Sequence, residues 1–308
     1  MGLYFYIHIM WKLQCCFKTA FFGIFAVMVY EKGRKVRVAI LDLYNGVANQ
    51  GMRCIRELLN QFAEHHHLDL EWDEFDVRRK NEVPDLSYDL YISSGGPGNP
   101  FDGEGTKWEA SYFNWIQTLL NWNADDSNEQ KKQVFFICHS FQIACRYFKV
   151  GKVEKRKSTA FGVFPIHFIN ATKPENIFEG VRDPFFAVDS RDYQVIQPNF
   201  SQLKKARIKL LCIEKERPHV ALERAVMAVR FNEYMVGTQF HPEADAVGMS
   251  MYLQTDEKKK TVIENHGFEK WKSMIEHLED PDKIMWTYAH ILPNFLYQSI
   301  FNSVSAIA

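Results

Sequence analysis

The stretch Gln133-Val134-Phe135-Phe136-Ile137-Cys138-His139-Ser140-Phe141-Gln142 decides the fold. Four consecutive apolar residues, preceded by the polar run Asn128 to Gln133, predict a short strand covered on both faces, as strands of parallel sheets are. A helix follows at once, so Cys138 falls at the carboxyl edge of the sheet. There it meets solvent beside N–H groups that favour negative charge. A cysteine so placed can serve as a thiolate nucleophile; the competing reading is a buried core cysteine.

Two further stretches favour the nucleophile. Tyr234-Met235-Val236-Gly237-Thr238-Gln239-Phe240-His241-Pro242-Glu243 is another strand ending in a polar pair. His241 is a candidate base for the thiol, and Glu243 the carboxylate that orients it. Asp89-Leu90-Tyr91-Ile92-Ser93-Ser94-Gly95-Gly96-Pro97-Gly98 is a strand followed by a glycine turn, whose backbone N–H groups near Gly96 are candidate oxyanion donors together with that of His139. No Gly-Lys-Ser/Thr follows the turn, which argues against a phosphate loop.

Together the three stretches resemble the class I glutamine amidotransferases, with their G-G-P-G loop, G-x-C-x-G-x-Q elbow and C-terminal H-P-E, over about residues 36 to 250. The resemblance is nearest to stand-alone proteins related to the glutaminase domain of GMP synthase. It implies a doubly wound, flavodoxin-like α/β fold with a mostly parallel sheet. It also implies hydrolysis of glutamine's side-chain amide through a Cys138-His241-Glu243 triad and a γ-glutamyl thioester. Gln142, at the family's glutamine position, and Tyr193, in the segment matching part of the glutamine pocket, become candidate substrate contacts. The alternative for Gln142 is a polar side chain bonding the neighbouring loop, and that for Tyr193 a packed tyrosine on a surface turn. Two positions depart from the pattern: Phe136 and Ser140 stand where glycines are expected. Serine is small enough to keep the helix packing close, whereas a bulky Phe136 beneath the elbow can displace the cysteine or reshape its pocket.

Composition agrees with a cytoplasmic enzyme. A chain of 308 residues, 46% hydrophobic and 24% charged, can bury one large core and carry a smaller appendage. A net charge of -1 without a long basic block excludes nucleic acid as the expected partner. The cysteines Cys15, Cys16, Cys54, Cys138, Cys145 and Cys212 form no C-x-x-C pair, which argues against a zinc ribbon and for no metal. No cofactor is expected. With no synthetase motif present, ammonia would pass to a separate synthetase, or the chain is a plain amidase. A γ-glutamyl hydrolase acting on a conjugate, and a non-catalytic regulatory protein on the same fold, are the other readings.

Three segments are expected: an apolar extension over 1–30, a catalytic domain over 31–250 and a helical extension over 251–308. Thr19 to Tyr30 is too short to span a bilayer, which takes about 20 residues, so a membrane role is not expected. The extension reads as sequence upstream of a start at Met28, as an anchor, or as a packed segment. Val36 to Leu41, a helix over 51–64 and Leu68 to Trp72 predict a β-α-β start. His65-His66-His67 reads as a solvated helix end rather than a metal site. Short strands are expected at Phe161 to Phe168, Phe185 to Val188 and Lys209 to Ile213, and a hairpin turning at Asn232-Glu233. Beyond Glu243 the pattern is helical, with Thr255 as a cap, Gly267 as a stop and Pro293 inside the last helix. This tail is expected to cover the sheet edge, shield the site or form a homo-oligomer face.

Overall fold

Five parallel strands form the spine of the protein, and their shared carboxyl edge positions everything that follows. The computed structural model describes residues 35–169, 175–218, 221–280 and 283–302, so the apolar stretch 1–30 lies outside the described residues. In chain order the elements begin with β1 (Lys35–Asp42), α1 (Gly51–His66), β2 (Asp69–Asp76), α2 (Val77–Lys80), β3 (Leu90–Ser93) and α3 (Lys107–Ala124). Then come β4 (Gln133–Ile137), α4 (His139–Tyr147), β5 (Lys152–Phe168), β6 (Phe185–Ile196), α5 (Phe200–Ala206), β7 (Lys209–Glu214), β8 (Val226–Arg230) and β9 (Met235–Thr238). Four α-helices follow, α6 (Ala246–Leu253), α7 (Asp256–His266), α8 (Phe268–Glu279) and α9 (Ile284–Tyr297), and a π-helical turn over Gln298–Asn302 ends the described chain.

One sheet runs in the order β2-β1-β3-β4-β9-β8-β7-β5-β6. The first five strands pair in parallel and the rest antiparallel. Parallel pairing requires crossovers, and helices supply them on both faces. On one face α1 lays down Met52, Ile55, Leu58, Leu59 and Phe62, and α9 adds Ile291, Leu292, Phe295 and Leu296. On the other face Tyr112, Trp115, Ile116 and Leu119 of α3 pack with Phe141 and Ile143 of α4. The fold is the doubly wound α/β arrangement expected, with an antiparallel patch and a helical C-terminal region.

The antiparallel patch is more extensive than its apolar runs suggest. β6 continues through the polar run Asp189 to Val195, and β5 begins at Lys152, nine residues before the expected start. Alternation persists in β6, with Asp189 and Arg191 buried and Ser190 and Asp192 exposed, but both faces are polar, so no period of apolar residues marks it. The buried face is held by charge. Arg191 Nε bonds Asp189 at 3.0 Å, and Arg191, Arg156 and Arg217 approach the Glu214 carboxylate at 3.2, 3.1 and 3.0 Å. A register shift between Lys155 and Ala160 divides the β5–β6 pairing into two arms.

Two local expectations change at helix ends. His67 closes α1 in the left-handed conformation, and His65 and His67 are exposed as expected, but His66 is half-buried: it packs against Phe62, Tyr297 and Phe301, and burial lowers its pKa to about 4, with its histidine neighbours adding to the effect. Thr255 stands at the start of α7, yet its hydroxyl donates back to the Tyr252 carbonyl rather than capping the helix. Gly267 ends α7 and Pro293 lies inside α9, as the sequence indicates. Helices α6, α7 and α8 gather Ala246, Leu253, Val262, Met274 and Leu278 against Val163 of β5 and Val188 of β6. Among the described residues no helix is long and apolar enough to cross a membrane.

Candidate active site

Cys138 occupies the turn between β4 and α4 with φ 48° and ψ −98°, a backbone conformation that side-chain-bearing residues seldom adopt. Such a strained strand-to-helix turn holds a nucleophile clear of the sheet. The turn is pinned from several sides. Cys138 N–H donates to the Thr238 carbonyl of β9 at 2.8 Å, and Gln142 N–H to the Cys138 carbonyl at 3.0 Å. Ser140, at one departing position, accepts from Ile137 N–H at 2.8 Å and donates to the Ser93 carbonyl at 2.7 Å. Its hydroxyl therefore fastens the elbow to β3, a bond that glycine cannot make.

Phe136, at the other departing position, is fully buried on the α3–α4 face, edge-on to Phe231 with ring centroids 5.6 Å apart and to Trp115 at 6.5 Å. Its space comes from the neighbouring strand. Phe136 pairs with Gly237 of β9, where an added Cβ would lie 2.8 Å from the Phe136 carbonyl oxygen and 2.9 Å from its Cβ. The glycine missing before the cysteine is thus matched by one across the ladder, and the phenyl ring packs away from the thiol.

His241 follows β9 and is half-buried, its N–H donating to the Val188 carbonyl of β6 at 2.9 Å. Its Nδ1 lies 2.7 Å from Glu243 Oε1, which leaves Nε2 as the free ring nitrogen. The ring edge and Cys138 meet at Gly95: a Cβ built there would touch His241 Cε1 at 2.9 Å and Cys138 Cβ at 3.6 Å. Any side chain at position 95 would occupy the space between the two. Burial opposes protonation of His241, but Glu243 and the adjacent Cys138 sulfur outweigh it and hold its pKa well above the ordinary imidazole value. Glu243 is 1% exposed, and among the described residues its Oε2 has no hydrogen-bond partner.

Gly96 and His139 line the same cavity of about 380 Å³ as Cys138 and His241. His139 is the first residue of α4, so its N–H lacks an intrahelical acceptor. Its side chain is neutral, since burial, then Arg78 and Arg146, lower its pKa to about 3. Arg78 bonds the Pro97 carbonyl at 2.7 Å and the Leu43 carbonyl at 3.2 Å, tying the glycine turn to the loop after β1. Gln142 and Tyr193 also line the cavity. The Gln142 amide nitrogen, however, donates to the Tyr193 carbonyl at 3.2 Å and to Gln239 Oε1 at 3.1 Å, so this side chain joins α4 to β6 and β9.

Two neighbours of the thiol were not singled out from the sequence. Gln239 Nε2 lies 3.6 Å from Cys138 Sγ, and its signal is the polar pair Thr238-Gln239 interrupting a buried strand. Tyr44, after β1, places its hydroxyl 3.1 Å from the same Cβ position at Gly95; burial, then Glu243 and Cys138, keep its phenol protonated. A tyrosine in a loop carries no pattern that would single it out. Among the described residues no cluster of three or more His, Cys, Asp and Glu is placed to hold a metal.

A family model described as "Glutamine amidotransferase class-I" matches residues 39–254. Among solved structures, a glutamine amidotransferase from Thermotoga maritima is 17% identical and aligns over 87% of this chain and 99% of its own, with a TM-score of 0.61. A glutamine amido transferase from Methylobacillus flagellatus is 11% identical over 86% of this chain and 95% of its own, with a TM-score of 0.55. At these identities the likeness bears on the fold. No curated protein matches the chain.

Proposed function

Because the chain belongs to the class I glutamine amidotransferase family, we propose that it hydrolyses the side-chain amide of glutamine, with Cys138 as nucleophile, His241 as base and Glu243 as its orienting carboxylate. The observation that carries this reading is the 2.7 Å contact between His241 Nδ1 and Glu243, made beside a cysteine held in a strained turn.

His241 Nε2 takes the Cys138 proton, and the thiolate adds to the γ-carbonyl carbon. The carbonyl oxygen becomes an oxyanion received by backbone N–H groups near Gly96 and of His139. Collapse breaks the C–N bond, His241 returns the proton to the departing ammonia, and a γ-glutamyl thioester remains. Water then adds to the thioester with His241 again as base, releasing glutamate and restoring the thiol. Gln142 and Tyr193 hold the glutamyl portion, with Gln142 also fixing the wall around it. Glutamine and a separate ammonia-accepting synthetase are the proposed partners. A cytoplasmic setting agrees with four described cysteines that are all free.

The test is release of ammonia and glutamate from glutamine by the purified chain, compared with His241→Ala and Glu243→Gln. His241→Ala is expected to abolish turnover, and Glu243→Gln to retain a measurable rate lower by roughly 10²–10⁴-fold. Wild-type turnover in His241→Ala contradicts the assignment. A second reading, hydrolysis of γ-glutamyl conjugates, is favoured by the apolar wall that Met249, Tyr252 and Met274 contribute to the cavity.

A further inference from the structure

A pair of buried amides runs from β6 to the thiol, and the second of them has no part in the reaction above. Gln142 of α4 is 3% exposed, and Gln239, the residue after β9, is 0% exposed. The Gln142 amide nitrogen donates to the Tyr193 carbonyl at 3.2 Å and to Gln239 Oε1 at 3.1 Å, and Gln239 Nε2 lies 3.6 Å from Cys138 Sγ.

The sense of this relay is set at its far end. A backbone carbonyl only accepts, so the edge of Gln142 that meets Tyr193 is its NH2. The other hydrogen of that NH2 needs an acceptor in a buried place, and Gln239 Oε1 supplies it. With its oxygen turned to α4, the planar Gln239 amide presents its NH2 to the sulfur. The main chain holds the residue there, since Gln239 N–H donates to the Met227 carbonyl of β8 at 2.8 Å.

The sulfur therefore has polar contacts of opposite effect. The thiol donates to the Ser190 carbonyl at 3.6 Å, which favours the protonated form, whereas the Gln239 N–H favours the thiolate. Around it stand His241 and Glu243 beyond β9, Tyr44 after β1 and Cys54 of α1. On α4 His139 is neutral; on β6 Arg191 is bound to Asp189 and Glu214, and Asp192 to Thr159. Exchanging residue 239 leaves all of these in place. We propose that Gln239 is a catalytic residue whose Nε2–H holds the Cys138 thiolate once His241 has taken the proton, and that Gln142 is the positioning residue that keeps this N–H, rather than the amide oxygen, against the sulfur. This rests on the reading of Cys138 as nucleophile. As the C–S bond forms, the negative charge passes to the carbonyl oxygen, so the Gln239 bond is strongest in the thiolate and weakest in the thioester.

The test is the pH dependence of iodoacetamide alkylation at Cys138 in the full-length protein, read by peptide mass spectrometry in the wild type, Gln239→Met, Gln142→Met and the double variant. Methionine keeps the length of glutamine and removes its hydrogen bonds. Loss of one bond to a charged sulfur is expected to move the Cys138 midpoint up by about one pH unit in Gln239→Met, and Gln142→Met to move it the same way by less. Because Gln142 acts through Gln239, the double variant is expected to match Gln239→Met, whereas independent packing effects would add. Gln239→Glu, which turns a carboxylate oxygen to the sulfur, is expected to raise the midpoint further than Gln239→Met. Cys145 of α4 is fully buried and labels only in unfolded chains, so its signal in the same digest reports folding. If Gln239→Met exposes Cys145, Gln142→Met decides alone, and an unchanged midpoint there overturns the proposal. In folded protein, an unchanged midpoint in Gln239→Met, or shifts that add in the double variant, overturns it and leaves Cys138 standing as nucleophile. Wild-type Cys138 labelling no faster than Cys54 at any pH removes both.

Discussion

Cys138 differs from Cys54, Cys145 and Cys212 in what surrounds its sulfur. Burial pushes the Cys54 thiol up to about 12 and those of Cys145 and Cys212 well above the ordinary value, so all three stay protonated and slow to react near neutral pH. Cys138 is also buried, 4% exposed rather than open to solvent as its strand-end position suggests, and Cys54 lines the same cavity; what sets Cys138 apart is its place against the His241 ring at Gly95. Brief iodoacetamide treatment at neutral pH is expected to alkylate Cys138 first, read by peptide mass spectrometry; equal labelling of Cys138 and Cys54 would contradict the proposed activation. His241 carries a pH signature as well. Its pKa is raised in the folded protein, so the stability it contributes is full below about 6.5 and is lost as pH rises through the folded value. Thermal melts from pH 6 upward should show this downward slope in the wild type and a weaker one in His241→Gln. At this scale the sequence was legible where residue type and spacing coincide, as at Cys138, His241 and Glu243. It was silent on Tyr44 and Gln239, whose proximity to the thiol arises only when loops after β1 and β9 meet.

At the scale of elements, the elbow depends on a pairing between strands. Phe136 and Gly237 are opposite one another, and the ring fits because the facing residue has no side chain. Phe136→Ala is expected to cost ~3–5 kcal/mol, as large aromatic deletions from cores do, with no gain in glutaminase rate; a faster enzyme would mean that the ring restrains the site. The exchange between the two strands was not readable from either strand alone, because register is a property of the pair. The β5–β6–β7 region illustrates another limit. Helical and parallel-strand segments announced themselves through apolar runs, whereas β6 is anchored by Arg191, Asp189 and Glu214, and a buried charge network looks like a surface loop in sequence. Burial raises the cost of ionising Glu214, but Arg191 and Arg156 outweigh it and lower its pKa, so its contribution is present above about 4.5 and is lost as pH falls below that. Glu214→Gln leaves guanidinium groups buried without their counter-charge and should destabilise by roughly 3–5 kcal/mol near neutral pH; a Tm equal to wild type would show the cluster to be dispensable.

Across the whole molecule, the carboxyl ends of β1, β3, β4 and β9 coincide because those strands are parallel. This is why loops more than a hundred residues apart in sequence share one cavity. The C-terminal helices belong to the same structure. Phe295 of α9 packs edge-on to Phe135 of β4 at 5.2 Å, while α6 and α8 wall the cavity. Periodicity alone revealed these helices but not which face of the sheet they cover, since that choice is made by packing. In the proposed reaction Cys138 forms a covalent γ-glutamyl intermediate under the control of His241 and Glu243. The most direct measurement is acid quenching of the protein during turnover of glutamine, followed by peptide mass spectrometry of the segment containing Cys138. A γ-glutamyl thioester on Cys138 is expected that disappears when substrate is exhausted and never forms in His241→Ala. Glutamate release with no adduct on Cys138, or an adduct on another residue that persists in Cys138→Ala, would contradict it.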